Sequence, residues 1–165
     1  MPRRIPALCG AGLAAIAALA FAVPVGAQAP TAQTLTVVEQ ESAGTFNIVD
    51  NPPKSRRHGE RTRFSVGDAI VINNPVVNEQ RQRIGRARGV CFITKPGTFA
   101  RAEADCLAVF ALRNGNLYGT IPLVFHEDNA TGTIFAGTGA YQGLHGTWAS
   151  VSGEDSSTDT FTLTP

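Results

Sequence analysis

Charge, sulfur, histidine and helix-forming segments are all scarce in this chain. Fourteen Lys/Arg against thirteen Asp/Glu leave a formal charge of +1. That balance argues against broad binding to nucleic acid or to an acidic membrane surface. His58, His126 and His145 stand far apart, and no His/Cys/Asp/Glu spacing forms a recognisable metal motif, so no metal and no cofactor are implied. No Gly-x-Ser-x-Gly elbow is present, and no serine is paired with a histidine by sequence logic. Glycine is abundant, but Gly137, Gly139 and Gly143 form a G-x-G-x-x-x-G spacing one residue too long for a dinucleotide loop, and no Gly-Lys-Ser/Thr follows. Long apolar runs are missing beyond the N-terminus. There Arg3 and Arg4 precede the run Leu13–Val25, which is too short to cross a membrane comfortably. With the small-x-small site Val25-Gly26-Ala27, residues 1–27 read as a secretory signal peptide. Residues 28–33 are then a linker and 34–165 one domain, secreted or extracytoplasmic and without a stable membrane anchor after processing.

Removing the leader removes Cys9 and leaves Cys91 and Cys106. An even pair in an exported chain points to one disulfide. The turn signal Lys95-Pro96-Gly97 makes their segments antiparallel neighbours, and a register centred between residues 98 and 99 sets the cysteines opposite each other. Gly89, Cys91, Ile93, Ala104, Cys106 and Ala108 then share one face; Val90, Phe92, Leu107 and Val109 share the other. Both faces are apolar, so one fills a core and the other meets a partner subunit. Charge is uneven along the chain: residues 54–101 are basic, with a loop Lys54-Ser55-Arg56-Arg57-His58, and residues 102–165 are acidic. Neutralisation between neighbouring strands and loops is the expected account of this pattern, and an anion-binding loop at 54–58 is the alternative.

What remains reads as strand. Thr34–Glu41 alternates, with Leu35, Val37, Glu39 and Glu41 on one face. Gly44–Asp50 is a short extended piece. Arg63–Asn74 is strand-like with a bend at Gly67-Asp68, and Asn73-Asn74-Pro75 is expected to break it. Arg83–Thr94 carries Gly85 and Gly89 as kinks or bulges. Arg101–Arg113 returns, Asn114-Gly115 is a hairpin turn, Leu117–Phe125 follows, and 126–131 is a loop. The glycine-rich stretch 132–150 then makes a tight corner between Thr133–Ala136 and Leu144–Val151, and Thr158–Thr164 ends the chain. About eight antiparallel strands in a meander leave no exposed edge only if they close. The expected fold is all-β, an eight-stranded antiparallel barrel whose interior holds side chains or one small ligand.

The chain resembles the allene oxide cyclase-like barrels, which share their fold with the dirigent proteins. The residues that carry the resemblance are Val38-Glu39, Gly67-Asp68 with Asn73-Asn74, Ile84-Gly85 through Gly89-Val90-Cys91, Asn114-Gly115-Asn116-Leu117, and Ala136-Gly-Thr-Gly-Ala-Tyr-Gln-Gly143 followed by Gly146. The resemblance implies a trimer with an apolar cavity, a small apolar ligand, Glu39 as an electrostatic or acid–base group, and Asn74 close to the ligand. Val37, Ile72 and Phe110 complete the expected ligand-facing set. Glu41 stands where plant cyclases carry asparagine, and no Ser-Pro follows it. Two readings result: a barrel that binds and orients an apolar molecule, and an isomerase or cyclase that adds Glu39 to cavity shape.

Overall fold

A computed structural model describes residues 32–51 and 63–165. The expected leader, its cleavage site and the basic loop at 54–58 lie outside these residues. Eleven strands follow in order: β1 (Gln33–Gln40), β2 (Thr45–Val49), β3 (Arg63–Phe64), β4 (Ala69–Val77), β5 (Arg83–Lys95), β6 (Gly97–Thr98), β7 (Glu103–Leu112), β8 (Gly115–Val124), β9 (Asn129–Gly137), β10 (His145–Ser152) and β11 (Ser156–Thr164). The sheet runs β1-β11-β10-β9-β8-β7-β5-β4, and β4 pairs back onto β1. Eight antiparallel strands thereby close into a barrel, which removes the free edges that an open sheet would present.

β2 lies beyond the seam. It continues β1 along β4, with Val38 opposite Val77, Glu39 opposite Val76 and Thr45 opposite Asn73. Between them a single 3₁₀ turn, Glu41–Ala43, is inserted opposite Asn74 and Pro75. This insertion explains why Asn73-Asn74-Pro75 does not end the strand as expected: β4 passes through it to Val77. Pro75 sits where β4 has left β2 and has not yet met β1, so a missing N–H is tolerated on that side. Pro122 in β8 is accommodated in the same way. It pairs with Asp105 on β7 but lies beyond the last β8–β9 pair, Thr120–Thr133.

The β5–β7 register sets Cys91 against Cys106, and the two form a disulfide. Cys91, Ile93, Ala104, Cys106 and Ala108 are buried, whereas Phe92 and Leu107 face outward and are half exposed. The hairpin after β7 turns one residue earlier than expected, on Arg113 and Asn114, because Leu112 pairs with Gly115. β9 starts at Asn129, so only 125–128 remain as turn. The glycine-rich corner does join two antiparallel strands, β9 and β10, through a 3₁₀ turn at Gly139–Tyr141. Gly137 packs so tightly on Tyr141 that a Cβ there would overlap its carbonyl, and Gly139 adopts φ +61°.

The interior has two levels. At one end Phe110 meets Phe161 and Trp148 edge-on, with centroids 4.7 and 5.1 Å apart, over Val37, Leu117, Ile134 and Leu163. At the other end the inward positions are small, namely Ala87, Gly89 and Ala108, and packing gives way to space.

Candidate functional site

That space is a cavity of about 580 Å³. Its walls are Ile70, Ile72 and Asn74 from β4, the Cys91–Cys106 disulfide, Ile121 and Leu123 from β8, and Trp148 and Ser150 from β10. Glu39 lines it from β1 and Ser157 from β11. Exposed lining residues, among them Glu41, Thr45, Phe46, Phe99, Glu127 and Asp128, gather at one end of the barrel and mark the mouth. The short β3–β6 pair packs Phe64 beside this mouth, 5.7 Å from Phe125, which itself stacks on Phe99 at 4.9 Å.

The alternation of β1 turns Glu39 inward, where only 5% of it remains exposed. Asn74 Nδ2 donates to Glu39 Oε2 at 3.0 Å. Gly44, in the turn after β1, makes room for this: a Cβ there would overlap the Asn74 amide. Asp159 is the second buried acid. It faces inward from β11, one rung deeper, opposite Val37 and Ser150. Its Oδ1 accepts from the Trp148 indole N–H at 2.7 Å. Its Oδ2 is buried and receives no N–H or hydroxyl.

Burial pushes the Glu39 carboxyl from its ordinary 4.5 to about 8, the nearby Asp159 adds to the rise, and the Asn74 amide offsets part of it. Burial also raises Asp159, and the Trp148 indole, the Ser150 hydroxyl and Glu39 pull it back. The two carboxyls cannot both ionise cheaply in this setting. Glu39 and Asp159 interact by a side-chain hydrogen bond, and a proton held between them relieves the repulsion of two buried carboxylates. The pair therefore holds a proton that it gives up less readily than ordinary carboxylic acids do. Chemically it can donate one proton into the cavity or hold one hydrogen bond to a ligand oxygen or nitrogen.

The expected site residues divide by depth. Glu39, Asn74 and Ile72 line the cavity, and Val37 and Phe110 lie fully buried in the packed level beneath it. Glu41, expected on the face of Glu39, is carried by the 3₁₀ turn to the exposed rim. Cys91 and Cys106 contribute their disulfide to the wall. Asp159 was not among the expected residues, although Ser157, Asp159, Phe161 and Leu163 alternate on one face of β11 and all four are buried. Among the described residues no group of three His, Cys, Asp or Glu side chains could hold a metal ion.

No family model matches the chain, and no curated protein matches it. Solved structures share its fold. A pyocyanin demethylase is similar with TM-score 0.60 and 21% identity, over 80% of this chain and 100% of the other. A pterocarpan synthase dirigent protein reaches TM-score 0.57 at 15% identity, over 92% of this chain and 99% of the other. An exo-specific intermolecular Diels-Alderase reaches TM-score 0.55 at 16% identity, over 81% and 98%. The fold is thus the dirigent-type, allene oxide cyclase-like barrel, a class in which one scaffold carries several chemistries.

Proposed function

We propose that this barrel binds one small, largely apolar molecule in its cavity and orients it against Glu39. The observation that carries the reading is a nearly buried carboxyl on the wall of an otherwise apolar cavity of ligand size. Apolar walls supply affinity by area, and the single acid fixes orientation. The test is to incubate the protein with a lipid and phenolic extract and read what it retains by native mass spectrometry. The parent chain is expected to hold small molecules, and Ala108→Leu, which projects a larger side chain into the cavity, is expected to hold markedly less. Equal retention by both would place binding elsewhere.

A second reading, an isomerase or cyclase, is favoured by the Glu39–Asp159 pair. A neutral Glu39 at pH 7 can hand its proton to a basic atom of the ligand, which leaves Glu39 anionic beside the newly charged ligand. Glu39→Gln keeps the shape and one donor but cannot give up a proton. It is expected to bind and not to turn over, and equal turnover would end this reading.

The same proposal places the protein outside the cytoplasm and in a self-associated state, most simply a trimer. The disulfide supports the compartment, and no helix among the described residues is long and apolar enough to cross a membrane. The outward apolar side chains Val71, Phe92, Leu107 and Phe135, each at least 40% exposed, support the association. Light scattering at micromolar concentration checks it, and monomer mass alone would contradict it.

A further inference from the structure

Among the described residues, the charged side chains that line the cavity are all of one sign. Among the lining residues the ionisable side chains are Glu39, Glu41, Glu127 and Asp128; none is a lysine, arginine or histidine. The three rim acids are exposed and make no ion pair among the described residues. They are drawn together by backbone contacts between turns: Ser152 N–H donates to the Asp128 carbonyl at 2.7 Å, and the Glu41 N–H donates to the Asp155 carbonyl at 3.0 Å. The β10–β11 turn that makes both contacts carries Glu154 and Asp155 as well. Among the described residues, the basic side chains of the neighbouring segments, Arg63, Lys95, Arg101 and His126, do not line the cavity, and Lys95 is tied to Glu103.

A second, independent feature lies at the same mouth. Phe46 and Phe99 line the cavity with half their surface exposed, and Phe125 stacks on Phe99. Aromatic faces beside carboxylates are the arrangement that attracts a desolvated cation. An anionic ligand would meet repulsion at the rim and again at the Glu39–Asp159 pair, and no described lining residue is a cation that offsets either.

We infer that the ligand of this cavity is a cationic amphiphile: an apolar, aromatic body carrying one positively charged nitrogen that sits at the acidic, phenylalanine-lined mouth. This rests on the proposed binding role of the cavity and narrows it, since it excludes fatty acids and other carboxylates. The apolar body occupies the space beside the disulfide and Ile72, and the nitrogen stays near Glu127 and Asp128, where it also draws the ligand in from solution.

Three probes of one size test it: naphthylmethyl-trimethylammonium, naphthalenemethanol and naphthoate, titrated calorimetrically into the intact protein at low salt. The cation is expected to bind tighter than the anion by about tenfold or more, a preference that shrinks as salt is added. The exposed double variant Glu127→Gln/Asp128→Asn is expected to lose about threefold or more of the cation's affinity while leaving the neutral probe unchanged. Equal affinities, tighter naphthoate, or an unaltered preference in the double variant would overturn the assignment and leave the cavity reading standing. If none of the three binds, the cationic assignment falls; if the probes bind and Ala108→Leu takes them up as tightly as the parent, binding lies outside the cavity and the cavity reading falls with it.

Discussion

Replacing Glu39 by glutamine gives the sharpest prediction, because it ties a buried group to a measurable pH slope. In the folded protein Glu39 keeps its proton up to about 8. In the unfolded chain it loses that proton near its ordinary 4.5. Between those values the native state binds more protons than the unfolded state, so stability is greatest at low pH and falls as pH rises through the window. Each pH unit inside the window corresponds to about 1.4 kcal/mol. From about pH 5 to about pH 7.5 the loss is therefore about 3 kcal/mol. Asp159 is displaced in the same direction and contributes with the same sign. The glutamine side chain of Glu39→Gln imitates the protonated state: its carbonyl can accept from Asn74 and its amide can donate to Asp159, with nothing to ionise. Urea unfolding of both proteins at the two pH values, with the disulfide intact, is the assay. The variant is expected to lose markedly less stability than the parent, and to be the more stable of the two at the higher pH. Parallel pH dependences would refute the reasoning, because they would mean that Glu39 ionises as freely folded as unfolded.

Three further outcomes follow from the packing. Reducing the Cys91–Cys106 bond, whose partners are 15 residues apart, should cost about 3 kcal/mol in the same unfolding assay, and unfolded, unreduced protein should titrate no free thiol from either cysteine. Trp148→Phe removes the indole N–H from Asp159 and should destabilise by about 1–3 kcal/mol at neutral pH, with a smaller loss in acid where Asp159 is protonated. Gly137→Ala drives a methyl group into the Tyr141 carbonyl and should cost about 1–3 kcal/mol in thermal or urea melts, whereas an alanine at the unobstructed Gly143 is strained only by its φ of +80°.

Much of this architecture was legible in the residues. Alternation on β1 gave the inward direction of Glu39, and the turn signal between the cysteines gave their register. Alternation reports which face a side chain takes; it does not report how deep along the barrel axis that side chain sits. Val37, Phe110 and Ile72 all point inward, but only Ile72 is at the level where Ala87, Gly89 and Ala108 leave a void. The 3₁₀ turn at Glu41–Ala43 was hidden for a related reason. It is a response to the staggered meeting of β1, β2 and β4, a tertiary event that also lets β4 continue through Pro75. Asp159 sits in a run of Ser and Thr that reads as a polar final strand, and its burial is visible only through its two-residue spacing from Phe161. The pairing of Asp159 with Glu39 depends on β11 closing against β1, the contact that turns a meander into a barrel.

The central claim is that a protonated Glu39 faces the ligand in the cavity, and infrared difference spectroscopy reads it most directly. At about pH 6.5, between the two Glu39 values, the parent protein should show a protonated-carboxyl stretch that Glu39→Gln lacks. That band should shift when naphthylmethyl-trimethylammonium or naphthalenemethanol fills the cavity. Absence of the band in the parent, or a band that bound probe leaves unmoved, would contradict the account.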